Sequence, residues 1–178
     1  VGVKGDELVP SQLTGSKARY DTPMQQNDHG VARLAELVEQ LKDYRNLSDS
    51  AVMVNLKFII HIVGDLHCPG HTFFADQSMQ YRIKNNGKSR AFHSFIDGAY
   101  SHFNAGVEYS DFYEQNARLT KAEKRRLCKD GMESWLRGNF PIYRECYELL
   151  PVGCEYNDLT EAQQLRLKEM TNRLYVEA

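Results

Sequence analysis

The sequence predicts an all-α fold with at most one short β-hairpin. Apolar residues recur at helical spacing in several segments, and capping-box patterns mark helix starts at Thr120 and Thr160. A strong turn signal at Asn85-Asn86-Gly87 predicts the hairpin. The 178 residues are enough for one domain with its own core, so we expect a single domain over residues 1–178, with an irregular stretch at 1–30.

The composition excludes binding that is driven by net charge. The formal net charge is −2, so no global basic field attracts nucleic acid. A nucleotide substrate remains compatible, because bound metal ions would supply local positive charge. The longest apolar run, Val52 to Val63, is interrupted by His61 and is too short to span a bilayer, so we expect no membrane span.

The predicted helices follow in order along the chain. The first begins after the N-cap Asp28 and carries apolar residues at positions 31, 34, 37, 38 and 41. The run Val52 to Val63 predicts a second helix, which is expected to be buried. A third helix runs from the hairpin towards Phe103, and a mixed loop rich in acidic and aromatic residues follows at 105–119.

Three further helices are predicted in the C-terminal third. Thr120 opens one that extends to near Arg137, and Pro141 lies in the first turn of the next. Thr160 and Gln163 form the capping box of the terminal helix.

The four cysteines leave two alternatives open. Cys146 could pair with Cys154, or Cys128 with either of them, if the compartment is oxidising. No pair has CxxC spacing, so the sequence does not predict a thiolate zinc site.

Histidines and aspartates form the candidate site. His61 and Asp65 are four residues apart, which places them on one face of the second helix. Proline cannot continue the helix, so the chain turns and His71 folds back beside the helix end. His93 and Asp97 form a second pair with the same spacing. Imidazole and carboxylate are zinc ligands, so the five residues predict a metal site.

The number of ligands indicates the chemistry. His71, His93 and Asp97 supply two nitrogens and one oxygen, and three protein ligands with one open position are typical of catalytic zinc. Asp65 could bridge two ions, because a carboxylate has two oxygens. Clustered zinc suits the hydrolysis of phosphate esters, in which one ion activates water and others hold the attacking and leaving oxygens.

The pattern His61-x3-Asp65-x-His-Cys-Pro-x-His71, followed by His93-x3-Asp97, resembles the S-one/P-one (S1/P1) nuclease family. That family's core reads HxxGDxxQPLH, followed by a segment like NLHxxWD. The likeness extends over residues 30–178 and includes a late Trp-containing helix. It implies a mostly α-helical fold shared with zinc-dependent phospholipase C, three clustered zinc ions, and hydrolysis of single-stranded RNA, single-stranded DNA and 3′-nucleotides.

The resemblance also implies a role for each residue. His61 and Asp65 would bind the first zinc of a buried pair, and Asp65 would also bridge to the third ion as the catalytic carboxylate. His71, His93 and Asp97 would hold the second ion of that pair.

Several family features are missing or replaced in this chain. The N-terminal Trp and the early His that complete the family's third zinc site have no counterpart, so we expect ligands for about two ions. We also expect that the chain lacks the family's N-terminal segment. Cys68 and Gly70 replace the usual Gln and Leu, and Ile96 replaces Trp in the second motif.

Phe73 and Phe74 directly follow His71, so they are the candidates for stacking against a substrate base; the alternative is that they pack in the core. The resulting hypothesis is a secreted or periplasmic zinc nuclease that acts on single-stranded nucleic acid or nucleotides. A zinc-dependent phospholipase C is an alternative, although its second pair normally ends in Glu rather than Asp97. A degenerate domain that binds metal without turnover is the other alternative.

Overall fold

Helices predominate in the computed structural model, which describes residues 1–10, 29–74, 82–103, 107–127, 129 and 131–178. This confirms the all-α prediction. The described residues of Val1–Leu66 and His71–Ser78 form one compact unit, and those of His67–Gly70 and Met79–Ala178 form a second. The single domain expected over residues 1–178 stays a prediction. None of the described helices is long and apolar enough to cross a membrane.

Two helices, α1 (Gly30–Lys42) and α2 (Asp49–Leu66), pack against each other in the first unit. Helix α1 begins at Gly30, where the Nδ1 atom of His29 accepts a hydrogen bond from the Ala32 N–H at 3.3 Å. His29 therefore acts as the N-cap, while the predicted cap Asp28 lies outside the described residues. The buried side of α1 consists of Val31, Leu34 and Leu37.

Helix α2 confirms the predicted element but not its predicted burial. Asn55 and Leu66 are its buried residues, and the Asn55 side chain donates to Gln40 of α1 at 3.0 Å. Much of the apolar run faces solvent, and Ile60 is 72% exposed. The expectation of a buried helix was wrong because continuous apolarity does not reveal which side of a helix has a partner. The other exposed large apolar residues of α2 are Met53, Val54, Leu56 and Phe58.

A small sheet completes the first unit. It contains β1 (Gly2–Lys4), β2 (Glu7–Val9) and β3 (Phe73–Phe74). Strand β1 lies in the middle, antiparallel to β2 and parallel to β3. The first ten residues are therefore not irregular, which corrects the expectation for that part of 1–30. Strands of two or three residues are too short to show an alternating pattern in the sequence.

The predicted hairpin is present in the second unit, with β4 (Arg82–Asn85) antiparallel to β5 (Lys88–Ala91). Asn86 and Gly87 turn with φ of 51° and 69°, the left-handed region that this sequence signal favours. The Glu155 carboxylate accepts from both backbone N–H groups of the turn at 2.9 Å. This contact ties the hairpin to a segment far along the chain.

The third predicted helix is divided at Gly98 into α3 (Phe92–Asp97) and α4 (Ala99–Phe103). The mixed loop expected over 105–119 was wrong where the chain is described, since Tyr109–Arg118 forms helix α5. A capping box between Glu108 and Asp111 opens α5. The sequence analysis missed this box because Glu, unlike Ser, Thr, Asp or Asn, is not a preferred N-cap residue.

The C-terminal third contains four helices where three were predicted: α6 (Lys121–Leu127), α7 (Gly131–Gly138), α8 (Phe140–Leu149) and α9 (Glu161–Glu177). Gly131, with φ of 85°, lies where the predicted single helix is interrupted. Both capping boxes predicted from the sequence are formed. The fully buried residues of the second unit include Ile83, Phe92, Phe95, Ile96, Leu136, Tyr143, Leu150 and Leu167.

Candidate metal centre

Asp65 is the centre of a group of polar side chains in the first unit. It lies near the end of α2, one turn after His61, and the two side chains share a face of the helix. The Nε2 atom of His61 lies 3.3 Å from Oδ2 of Asp65. The His61 side chain is 69% exposed and that of Asp65 is 30% exposed, so this face is open to solvent.

His71 reaches the other oxygen of the same carboxylate. Helix α2 ends at Leu66, and a single 3-10 turn, Pro69–His71, reverses the chain. The Nε2 atom of His71 then lies 3.6 Å from Oδ1 of Asp65. The main chain of Val1 holds this segment, because its nitrogen donates to the His71 carbonyl and its carbonyl accepts from the Phe73 N–H, both at 2.8 Å.

This arrangement suits a bridging carboxylate. Each oxygen of Asp65 faces a different imidazole, so the carboxylate presents its two oxygens in two directions. Imidazole nitrogen and carboxylate oxygen are ligands that zinc accepts readily. The donor set of the first unit therefore fits zinc by its chemistry.

His93 and Asp97 belong to the second unit, on one face of α3. Gly70 packs directly against this helix. A Cβ atom added at Gly70 would lie 2.6 Å from Cγ2 of Ile96 and 3.1 Å from Cα of His93. Position 70 therefore requires glycine, and its packing fixes the backbone that carries His93.

Cys68 is close to Asp97 within the second unit. Its Sγ atom and a carboxylate oxygen of Asp97 lie within 4.8 Å of each other. The sequence analysis noted Cys68 only as a replacement and assigned it no role. The available signal was its position three residues before His71, a spacing that places two ligand-type side chains around one turn.

Two aromatic residues near these groups were also missed. Burial is the main cause that raises the pKa of Tyr175 to about 12, with smaller contributions from Cys68, Tyr109 and Asp97, so its hydroxyl stays protonated at neutral pH. Trp135 stacks on His67 with ring centroids 4.6 Å apart and planes 13° from parallel. His67 is thus packed against Trp135 within the second unit.

Phe73 and Phe74 are buried in β3, with exposed fractions of 8% and 1%. Their burial is what the packing alternative predicts, and the stacking role stays a prediction. His102 packs on Phe95, with ring centroids 4.5 Å apart. Burial and then the charge of Arg90 lower the pKa of His102, which favours its neutral form.

The described cysteines are not joined by a disulfide. Cys146 and Cys154, one of the pairs left open by the sequence, are not bonded to each other. Cys128, the other possible partner, lies outside the described residues. Burial raises the pKa of the Cys146 thiol to about 12, so this group stays neutral in the core.

A family model described as S1/P1 nuclease matches residues 12–173, which is nearly the whole chain. No curated protein and no solved structure shows a significant match to the chain.

Proposed function

Because the chain belongs to the S1/P1 nuclease family, we propose that it is a zinc-dependent phosphodiesterase. Membership of the family implies nuclease activity in general terms. The finer proposal is that the protein hydrolyses single-stranded RNA, single-stranded DNA and 3′-nucleotides.

The geometry around Asp65 carries this proposal. Its two oxygens face His61 at 3.3 Å and His71 at 3.6 Å. We therefore assign Asp65 as the carboxylate shared between metal ions and His61 as its companion ligand. The openness of this face supports a catalytic rather than a purely structural role, since a substrate must reach the ions.

The second part of the ligand set rests on sequence spacing and on the family. We assign His71, His93 and Asp97 as ligands of a further zinc ion. Two imidazoles and a carboxylate fit a catalytic site with an open position. With these assignments the chain supplies ligands for about two ions.

Zinc ions, when bound, lower the pKa of water and offset charge on phosphoryl oxygens. The residues assigned above as ligands would hold those ions. The packing of Gly70 against Ile96 and His93 fixes the backbone of α3.

The experiment combines metal content with substrate choice. Full-length protein is purified without chelator, its zinc is measured by elemental analysis, and it is incubated with single-stranded DNA, duplex DNA, a 3′-nucleotide and phosphatidylcholine vesicles. We expect about two zinc ions per chain, faster cleavage of the single strand than of the duplex, and loss of activity with a chelator.

Each alternative has its own outcome in that experiment. Release of a phosphorylated headgroup without cleavage of nucleic acid would establish the phospholipase C alternative. Zinc binding with no hydrolysis of any substrate would establish a degenerate metal-binding domain.

We also propose that the protein is secreted or periplasmic, in keeping with the resemblance described above. Fractionation of the source cells, with activity measured in each fraction, tests this; nuclease activity confined to the cytoplasmic fraction would contradict it.

A further inference from the structure

Cys68 lies beside the metal-ligand pair of the second unit. It is half-buried, and its Sγ atom lies within 4.8 Å of a carboxylate oxygen of Asp97. This upper limit is close to the largest separation that two atoms bound to one zinc ion can have, about 4.6 Å, because each bond to zinc is about 2.0–2.3 Å long.

The imidazole of the same pair is also close to this segment. A Cβ at Gly70, two residues after Cys68, would lie 3.2 Å from Cδ2 of His93. Since His93 and Asp97 share one face of α3, the segment from Cys68 to Gly70 packs along the face that carries both ligands. The thiol of Cys68 and the carboxylate of Asp97 thus lie close together in the second unit, beside the helix that carries the His93 imidazole.

We infer that Cys68 is a further zinc ligand that acts with His93 and Asp97. This inference rests on the proposed function, because it concerns one of the zinc ions proposed there. On binding, the thiol releases its proton to water and a sulfur lone pair forms the bond to zinc. The family's usual residue at this position, Gln, cannot supply a thiolate, so this ligand is not part of the family's usual pattern.

The additional ligand changes what this ion can do. With His71, His93 and Asp97 as proposed above, Cys68 brings the number of protein ligands to four. Four protein ligands are typical of a closed, structural zinc site, whereas three leave a position open for water. Activation of water would then fall to the ion at His61 and Asp65. The ion at Cys68 would also become sensitive to oxidants, because an oxidised thiolate no longer binds it.

Cobalt substitution tests the inference directly. The full chain is kept reduced, its metal is exchanged for Co²⁺, and the absorption spectrum is recorded. A thiolate ligand produces a near-ultraviolet sulfur-to-cobalt charge-transfer band, which nitrogen and oxygen ligands do not. We expect this band in the wild type, and we expect Cys68→Ser and Cys68→Gln to lack it.

Cys154→Ser is the matched control. Cys154 is half-buried like Cys68, but it lies beside the hairpin, where its carbonyl accepts from the Lys84 N–H at 2.7 Å. This variant should keep the band. X-ray absorption of the zinc-loaded wild type needs no variant and should show a Zn–S distance of about 2.3 Å. Zinc affinity should fall on the order of 10–100-fold or more in Cys68→Ser.

The possible failures are distinguishable. If Co²⁺ and zinc bind but no sulfur ligand is detected, or if the band persists in Cys68→Ser, the inference about Cys68 is wrong and the proposed function stands. If the wild type binds neither metal, the proposed zinc dependence fails, and the role of Cys68 fails with it.

Discussion

The Nε2 atom of His71 lies 3.6 Å from Oδ1 of Asp65, although the two residues are six positions apart and a helix ends between them. The 3-10 turn Pro69–His71 makes this contact possible, because it reverses the chain directly after α2. The Nε2 atom of His61 lies 3.3 Å from the other oxygen, Oδ2, so the carboxylate lies between two imidazoles of the first unit. The first prediction concerns this carboxylate.

Asp65→Asn should remove zinc and activity together. The amide keeps the shape of the side chain but loses the charge and one acceptor oxygen, so it cannot bridge two cations. We expect metal affinity and turnover to fall by at least the ~10–100-fold that follows loss of an outer partner of a metal site. Elemental analysis and a single-strand cleavage assay measure the two effects. Asp49→Asn, an exposed acid at the start of the same helix, should change neither.

His93→Ala should reduce the zinc content by one ion and remove nearly all turnover, because it deletes one of three proposed nitrogen and oxygen ligands of that ion. Zinc content is measured on protein that remains folded by circular dichroism. His102→Ala is the control: His102 packs on Phe95, so its loss should lower thermal stability while zinc content stays the same. Unchanged zinc in His93→Ala would contradict the assignment.

Gly70→Ala should destabilise the protein by about 1–3 kcal/mol, because the added methyl group meets Ile96 and the backbone of His93 in a packed region. Urea denaturation measures the loss. Gly64→Ala is the control and should raise the free energy of unfolding. Nothing lies within 4 Å of its added Cβ, and alanine in a helix is favoured over glycine by about 0.5–1 kcal/mol. Equal effects of the two substitutions would show that position 70 is not tightly packed.

The ion pair between α8 and α9 should make stability depend on pH. The Glu145 carboxylate accepts from Nε and Nη2 of Arg166 at 2.6 and 2.8 Å, and these bonds hold its pKa below its ordinary value. Because the folded pKa is depressed, this contribution is present above the unfolded pKa and is lost as the pH falls through the folded pKa. Both side chains are partly exposed, so it amounts to ~1 kcal/mol or less.

Unfolding free energies at neutral and acid pH test this. Glu145→Gln should show a smaller difference between the two pH values than the wild type does. Glu169→Gln is the control, since Glu169 lies 3.9 Å from the same arginine in a weaker, more exposed pair. If the pH dependence of Glu145→Gln equals that of the wild type, the ion pair contributes nothing.

The sequence predicted the helical elements whose signals are local. The capping boxes at Thr120 and Thr160, the turn at Asn86-Gly87 and the first turn at Pro141 each depend on a few neighbouring residues, and each was found. The short strands β1 to β3 were not predicted, because strand pairing joins residues far apart in the sequence. The helix break at Gly98 was also not predicted.

The site was predictable to the extent that it depends on helical spacing. His61 and Asp65 share a face because they are four residues apart, and the contact between them follows. The proximity of Cys68 to Asp97 was not predictable, since it arises from how the segment around Gly70 packs on α3. The resemblance did not help there, because Cys68 is a departure from the family's pattern.

The outward side of α2 has a practical consequence for purified protein. Met53, Leu56 and Ile60 recur on one side of this helix and face solvent. Apolar surface of this kind adheres to hydrophobic resins, detergent micelles and other molecules of the same protein as the concentration rises. A metal-to-protein ratio is therefore best measured on a fraction whose mass in solution has been determined by light scattering.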